Sequence, residues 1–361
     1  MKEKILFAVS LSIFLLLMTT GLAASERKQT LGVFGNANED GVVDMRDVAC
    51  VEHMILGLSP SNRLADANQD GRLDTQDIEQ IQQIILEKEK ELIILDDAQD
   101  IITIHKPVRR VIPDHLTCLA AMRILDAENM VAGIDVAVKK YMGRRFLQDL
   151  YSLPVIGGYS NPDYEKILSL SPDVYLSYRS LYGPGGKEVL KEKLPGVIVI
   201  ETGYYTPYNP DNLAIDMRLL GYILDKREQA ETYIKWYTGY LNMIRRRSSG
   251  LSENERPKVY PAPGWNLYNS IANFKLADIA GGKNICAGLG PTYVTVDPEW
   301  MIKQNPDVIL KQSFSSKGYD SVDPSGMKAE REQILNRPEL FGVGAVKKGK
   351  VYLWHMYTSG M

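Results

Sequence analysis

The sequence predicts an α/β protein: two lobes of mainly parallel sheet joined by a long helix, preceded by a small all-α unit. Three observations carry this. From residue 91 onward, short apolar runs alternate with amphipathic helical runs, the pattern of βαβ units. Midway, one unbroken helical tract, EQAETYIKWYTGYLNMIRRRS, interrupts the alternation. One phrase is also written twice, as EKILSLSPDVYLSY from Glu165 and as EWMIKQNPDVILKQ from Glu299.

At the N-terminus, Lys2 and Lys4 precede the apolar run ILFAVSLSIFLLLMTTGLAA, and Gly21-Leu22-Ala23 reads as a small-residue cleavage site. Residues 1–24 are therefore read as a secretory signal, which places the mature chain outside the cell or at its surface. The run is also long enough to span a bilayer, so an uncleaved anchor is the other reading. No cysteine follows it, which argues against a lipid-anchored form. Cys50, Cys118 and Cys286 are widely spaced and form no CxxC pair, so they propose neither a disulfide framework nor a metal site. The 361 residues exceed one typical domain. A net charge of −3 gives no electrostatic reason to expect nucleic acid. Tyrosine is abundant, 20 against 7 Phe and 4 Trp, which suits a binding surface as well as a core.

The all-α unit comes from a tandem repeat. Residues 36–47, NANEDGVVDMRD, and 66–77, DANQDGRLDTQD, carry oxygen side chains at positions 1, 3, 5, 9 and 12 and glycine at 6. That spacing wraps a loop around calcium. The ligands would be Asn36, Asn38, Asp40, Asp44 and Asp47, then Asp66, Asn68, Asp70, Asp74 and Asp77. Position 7, Val42 and Arg72, would give a backbone carbonyl, so its side chain is free to vary. Gly41 and Gly71 permit the sharp turn. Past the loops, Val48, Val51 and Ile55 recur as Ile78, Ile81 and Ile85 on one helical face. Two calcium ions would add the stability that so small a core lacks. The plainer reading is two Asp/Asn-rich turns with no ion.

Paired loops that close with aspartate and lack an incoming helix resemble a dockerin type I module, here over residues 31–90. Asn36 replaces the usual aspartate and removes one charge from the first site. The resemblance implies a cohesin-bearing partner, contacted through positions 10 and 11: Met45 and Arg46, then Thr75 and Gln76. These pairs differ, so a symmetric two-way grip is in doubt. The alternative is a calcium-stabilised spacer packed on its own chain.

Residues 91–361 form the larger unit, read as an N-lobe over 91–210, a linking helix over 228–248 and a C-lobe over 256–361. LIILDDAQDIITI reads as a hairpin around an Asp-rich turn. RRVI, HLTCLAAMRILDA and MVAGI then read as strand, helix and strand, followed by YEKILSL, DVYLSY, KEVLKEKL and VIVIET. In the linking helix Ala230, Tyr233, Ile234, Tyr237, Tyr240, Leu241 and Ile244 share one face. KVYPAP, FKLADIAG, EWMIKQN and DVILKQ resume the alternation, giving two Rossmann-like lobes.

The order and spacing of LPVIGGYSNPDYEKILSLSPDV, LADIAGGKNI, VDPEWMIKQNPDVIL and AVKKGKVYLW resemble the substrate-binding protein of an ABC importer. The similar class is the helix-linked group that carries ferric siderophores, haem and cobalamin. The resemblance implies an ABC permease partner, docked through Glu165 and Glu299, one per lobe. Both glutamates would also serve simply as favourable charges at a helix N-terminus. In this family further helices follow the last strand, so either the chain is truncated at its C-terminus or this lobe departs from the pattern.

In α/β sheets ligands bind beyond the carboxyl ends of the strands. That rule selects Arg179, Tyr182, Tyr204, Tyr205, Trp265, Tyr268 and His355, with Tyr159 and Tyr293 shortly before the two glutamate-bearing helices. Rings supply flat apolar contact, Arg179 suits a carboxylate, and Tyr or His suits haem iron. No nucleophile elbow or HExxH appears. A polysaccharide-acting enzyme or a dockerin-displayed receptor without transport stands as the alternative to a binding protein.

Overall fold

A computed structural model describes residues 30–142, 149–158, 160–177, 186–201, 210–264, 266–290, 293–313 and 323–355, with the side chains of Asp211 and His355 excepted. Helices α1 (Met45–Ile55) and α2 (Thr75–Ile85) are each capped by the ninth residue of a loop, Asp44 or Asp74. There Asp44 or Asp74 accepts from the backbone two residues on, and Asp47 or Asp77 completes a capping box. Val48, Val51, Ile81 and Ile84 are buried. Ile55, expected on the same face, sits at the open end of α1 and is 39% exposed.

This small unit does not stand apart. Hairpin strands β1 (Glu91–Leu95) and β2 (Ile101–His105) pair antiparallel, and Val33 bridges to Ile94 on the other edge of β1. Phe34 donates to the Ile93 carbonyl and Leu95 to that of Gly32. One continuous core then joins Leu31, Val43, Val51, Ile81 and Ile84 to Leu92, Ile104, Leu119 and Tyr222.

The N-lobe sheet is parallel, in order β3 (Val111–Pro113), β4 (Val174–Ser177), β5 (Ile198–Glu201). Its helices are α3 (Leu116–Ile124), α4 (Val136–Tyr141), α5 (Tyr164–Ser169) and α6 (Gly186–Lys193). MVAGI, expected as a strand, gives only single bridges at Val131 and Ile134. Two helices follow, α7 (Pro210–Leu224) and the linking helix α8 (Arg227–Ser248). The apolar stripe of α8 is narrower than its spacing predicts. Ala230, Ile234 and Leu241 are buried, whereas Tyr240 and Ile244 are exposed.

The C-lobe contains β6 (Lys258–Ala262), β7 (Asn269–Ile271), α9 (Lys275–Ile279), β8 (Lys283–Asn284), β9 (Tyr293–Thr295), α10 (Pro298–Gln304), β10 (Val308–Ser313), α11 (Ser325–Leu335), α12 (Gly344–Lys347) and β11 (Val351–His355). Its main sheet runs β8-β6-β10-β11, all parallel, with β7 and β9 as an antiparallel pair.

The phrase written twice now has a physical meaning. After α5 and after α10 the chain turns through a left-handed residue, Ser171 (φ 47°) or Asn305 (φ 50°), into Pro-Asp. Asp173 then accepts the N–H groups of Arg109 and Arg110 at 2.7 and 2.8 Å. Asp307 accepts that of Lys258 at 2.9 Å. The side chain of Arg110 reaches back to the Leu170 carbonyl, and that of Lys258 to Gln304, each at the end of the preceding helix. Helix end, turn and neighbouring strand are thereby locked in one register, once per lobe.

Candidate functional site

The carboxyl ends of the two parallel sheets carry buried polar groups. In the N-lobe, β3 runs into Asp114 and His115. Ser177, the last residue of β4, donates its hydroxyl to Asp114 at 3.0 Å. His115 shares a 2.8 Å hydrogen bond with the Thr117 hydroxyl, and burial pushes it down to about 4, so the ring is neutral at pH 7. At the end of β5, the Glu201 N–H donates to Asp96, which also holds the buried Lys187 ammonium. Lys187 reaches Asp100 as well, at 2.7 Å. Burial first, then the neighbouring Asp96 and Glu201 carboxylates, push half-buried Asp97 up to about 7.

In the C-lobe, buried Lys311 on β10 donates to the Gly264 carbonyl at 2.7 Å and lies 3.8 Å from Glu330. Desolvation holds its pKa below the usual lysine value, against the pull of Glu330. Ser313, ending β10, donates to Glu330 at 2.6 Å and is paired in register with His355 at the end of β11. None of Asp114, His115, Ser177, Glu201, Lys311 and Ser313 stands out by residue type. The available signal was position: each is a polar residue in or just past an apolar strand run.

The aromatic set predicted from sequence falls largely outside the described residues: Tyr159, Arg179, Tyr182, Tyr204, Tyr205 and Trp265. Tyr293 opens β9 and is 53% exposed. Tyr268 accepts Val296 through its carbonyl at the far end of the same pair. Its hydroxyl meets Glu339 at 3.3 Å and Arg337 lies over its ring.

Glu165 and Glu299 occupy the same place in their lobes. Each is the second residue of its helix, behind an aspartate N-cap, Asp163 or Asp297, and each is exposed.

The two calcium-type loops share most of their hydrogen bonds, the Gly71 N–H to Asp66 bond being found in the second alone among the described residues. Asn38 and Asn68 accept from Asp40 and Asp70, which accept from Val42 and Arg72. The carboxylates of Asp47 and Asp77 each take two backbone N–H groups, from Asn38 and Asp44 or from Asn68 and Asp74. Gly41 (φ 93°) and Gly71 (φ 83°) make the turn. At position 1 of both loops, one side-chain oxygen, Asn36 Oδ1 or Asp66 Oδ1, is buried without a hydrogen-bond partner. A cation would satisfy both. No group of three or more His, Cys, Asp and Glu converges among the described residues. The donors offered here instead mix Asn oxygens, carboxylates and a backbone carbonyl, the hard all-oxygen set of calcium.

The loops differ in their surroundings. Arg46 spans Asp40 and Asp44 at 2.8 and 2.7 Å, whereas Gln76 holds the same place in the second loop. The Val43 N–H of the first loop donates to the Tyr222 hydroxyl on α7 at 2.8 Å. Arg227 of α8 lies over the Tyr222 ring and binds both the Ile84 carbonyl and buried Glu89. Met45, Arg46, Thr75 and Gln76 are all exposed.

Comparison with known proteins agrees with this architecture. The family model described as periplasmic binding protein matches residues 119–358, and the dockerin type I domain model matches 35–86. No curated protein sequence matches the chain. Among solved structures, MolA of Haemophilus influenzae, bound to molybdate, is 20% identical over 72% of this chain and 82% of its own, with TM-score 0.59. The TroA-like FepB of Veillonella parvula is 22% identical over 74% and 84%, TM-score 0.58. The periplasmic heme binding protein HutB of Vibrio cholerae is 17% identical over 69% and 90%, TM-score 0.52. Among the described residues no helix is long and apolar enough to cross a membrane. With a dockerin type I domain ahead of its two lobes, the chain belongs to the periplasmic binding protein family.

Proposed function

We propose that this chain is the extracellular solute-binding component of an ABC importer, and that it captures an iron complex (ferric siderophore or haem) or a corrinoid between its lobes. The observation that carries the docking half is the pair Glu165 and Glu299, exposed at the same helical position of two lobes built alike. A permease that grips both lobes would be served by such a matched pair. The solute reading is supported by the buried polar groups at the sheet ends and by the aromatic residues that follow the strands.

The dockerin would hold two calcium ions, one through Asn36, Asn38, Asp40, Val42, Asp44 and Asp47 and one through Asp66, Asn68, Asp70, Arg72, Asp74 and Asp77. Calcium would supply positive charge to loops that leave one position-1 oxygen in each, Asn36 Oδ1 and Asp66 Oδ1, buried without a hydrogen-bond partner. Exposed Met45, Arg46, Thr75 and Gln76 then face a cohesin-bearing partner. Titration of the calcium-loaded secreted chain with haem, cobalamin and ferric siderophores, followed by Trp/Tyr fluorescence, tests the solute. Saturable quenching by one of them is expected. Silence from all, with both lobes folded, would turn the reading to a receptor without transport. Glu165→Arg and Glu299→Arg should abolish uptake and leave solute affinity unchanged.

A further inference from the structure

We propose that the outer face of the linking helix α8 is a self-complementary surface on which a second copy of this chain docks, the two α8 helices crossing antiparallel at Gly239. The starting point is a glycine with no packing reason among the described residues. Gly239 sits mid-helix, where glycine costs about 1 kcal/mol relative to alanine. Among the described residues, a Cβ there would meet nothing within 4 Å. The helical glycine of α7, Gly221, is different: a Cβ on it would come within 2.9 Å of Ala230, so it is spent on α7–α8 packing. Gly239 faces outward, at the floor of a shallow concavity of ≈ 700 Å³ lined by Thr232, Lys235, Trp236, Tyr240 and Met243.

The spacing of this face is that of a helix-packing seam. Thr232, Trp236, Gly239, Met243 and Arg246 recur at alternating steps of four and three, and all are exposed. Trp236 and Tyr240 are 54% and 53% exposed, a large apolar area for a helix whose other face is already buried. A glycine at the centre lets a second helix approach closely, and flanking large residues then fill the space on both sides.

Charge decides which occupant fits. Glu228 lies eleven residues before Gly239 and makes no ion pair among the described residues; Arg246 and Arg247 lie seven and eight residues after it, also unpaired there. All three are exposed. At 1.5 Å per residue, the acid stands about 16 Å to one side of Gly239 and the arginines about 11 Å to the other. An antiparallel copy crossing at Gly239 brings each Glu228 to the Arg246–Arg247 pair of the second copy, the offset of about 5 Å being within an arginine's reach. It also sets Trp236 against Met243 of the second copy, a favourable sulfur–aromatic contact. A parallel copy would stack arginine on arginine, which repels. A pattern complementary to itself about one point is the mark of a two-fold interface.

Sedimentation velocity of the secreted chain in calcium, over about 1 to 100 µM, tests this. A concentration-dependent dimer is expected. Gly239→Leu, which favours the helix but fills the crossing point, should raise the dissociation constant roughly tenfold or more. Circular dichroism should show the fold intact. Glu228→Arg should weaken the dimer, and adding Arg246→Glu with Arg247→Glu in the same chain should restore it. A monomer throughout the range overturns the proposal, whether the face is bare or belongs to a different protein. So does a dimer indifferent to Gly239→Leu.

Discussion

In the N-lobe, Asp173 accepts two backbone N–H groups from the residues leading into the strand beside it; in the C-lobe, Asp307 accepts one from the first residue of the corresponding strand. The device is the same, down to the left-handed residue before the proline. What differs is the rest of each lobe. The C-lobe closes its own core around Tyr260, Met301, Ile309 and Val351. The N-lobe shares its main core with the calcium-type loops through Val43, Val51, Ile81, Ile84 and Tyr222. Two lobes that repeat one local motif therefore depend on different things: the C-lobe on itself, the N-lobe on a module in front of it.

The hardest test of that difference is calcium removal. At a thousandfold excess over its dissociation constant, each bound ion adds about 4 kcal/mol of stability. A chelator should strip hydrogen-exchange protection from β1 to β5 while β6, β10 and β11 keep theirs. Equal loss in both lobes would end the comparison.

Acid should act on the N-lobe through His115. His115 is neutral and buried, its pKa pushed from 6.5 to about 4 by desolvation. A base whose folded pKa is depressed gives its full stability above the unfolded value and loses it as pH falls from 6.5 towards 4. The His115 contribution should fall by about 2 kcal/mol by pH 5, read as the difference between wild type and His115→Asn in chemical denaturation. The difference isolates His115, because Asp97, pushed up to about 7 in the same lobe, titrates in the opposite sense. His115→Asn, which keeps the helix cap, should leave only the opposite slope, stability rising as pH falls through the Asp97 range.

The locks themselves can be ranked. Asp173→Ala removes two charge-assisted hydrogen bonds and should cost about 2 kcal/mol, against about 1 kcal/mol for Asp307→Ala, both partners being near solvent. The reverse order, in urea melts monitored lobe by lobe, would show that neighbouring packing and not the count of N–H groups sets the value. An effect of the same small size is expected from Tyr222→Phe, which leaves the buried Val43 N–H without its acceptor. About 1 kcal/mol should be lost, and only when calcium is bound and the first loop is ordered. The same loss with and without calcium would mean that the hydrogen bond serves α7 alone.

Much of this organisation was legible in the residues. Loop positions, hairpin and parallel strands follow from oxygen spacing, an Asp-rich turn and apolar alternation, because each is a local rule. The paired Glu165 and Glu299 were visible because one phrase repeats. The shared core was not. Nothing in Val43 or Tyr222 announces that a loop N–H will be answered from residue 222 by a side chain on another helix. The stripe of α8 was overread for a similar reason. Periodicity shows that Tyr240 and Ile244 lie on one side of a helix, but only the neighbours decide how much of that side is covered. Ser177, Lys311 and Ser313 were passed over because hydroxyls and lysines are common, and only the strand register brings them to the sheet ends.

The join between α2 and β1 spans residues 86–90, and within it Glu89 is buried against Arg227. A tether of glycine and serine would let a captured protein swing and sample a wide volume. This join has no such slack. A partner that grasps the loops would hold the N-lobe like a tool by its handle, transmitting direction as well as position. The volume swept by the solute-binding face is then set by the flexibility of the scaffold, and so is its local concentration at any nearby permease.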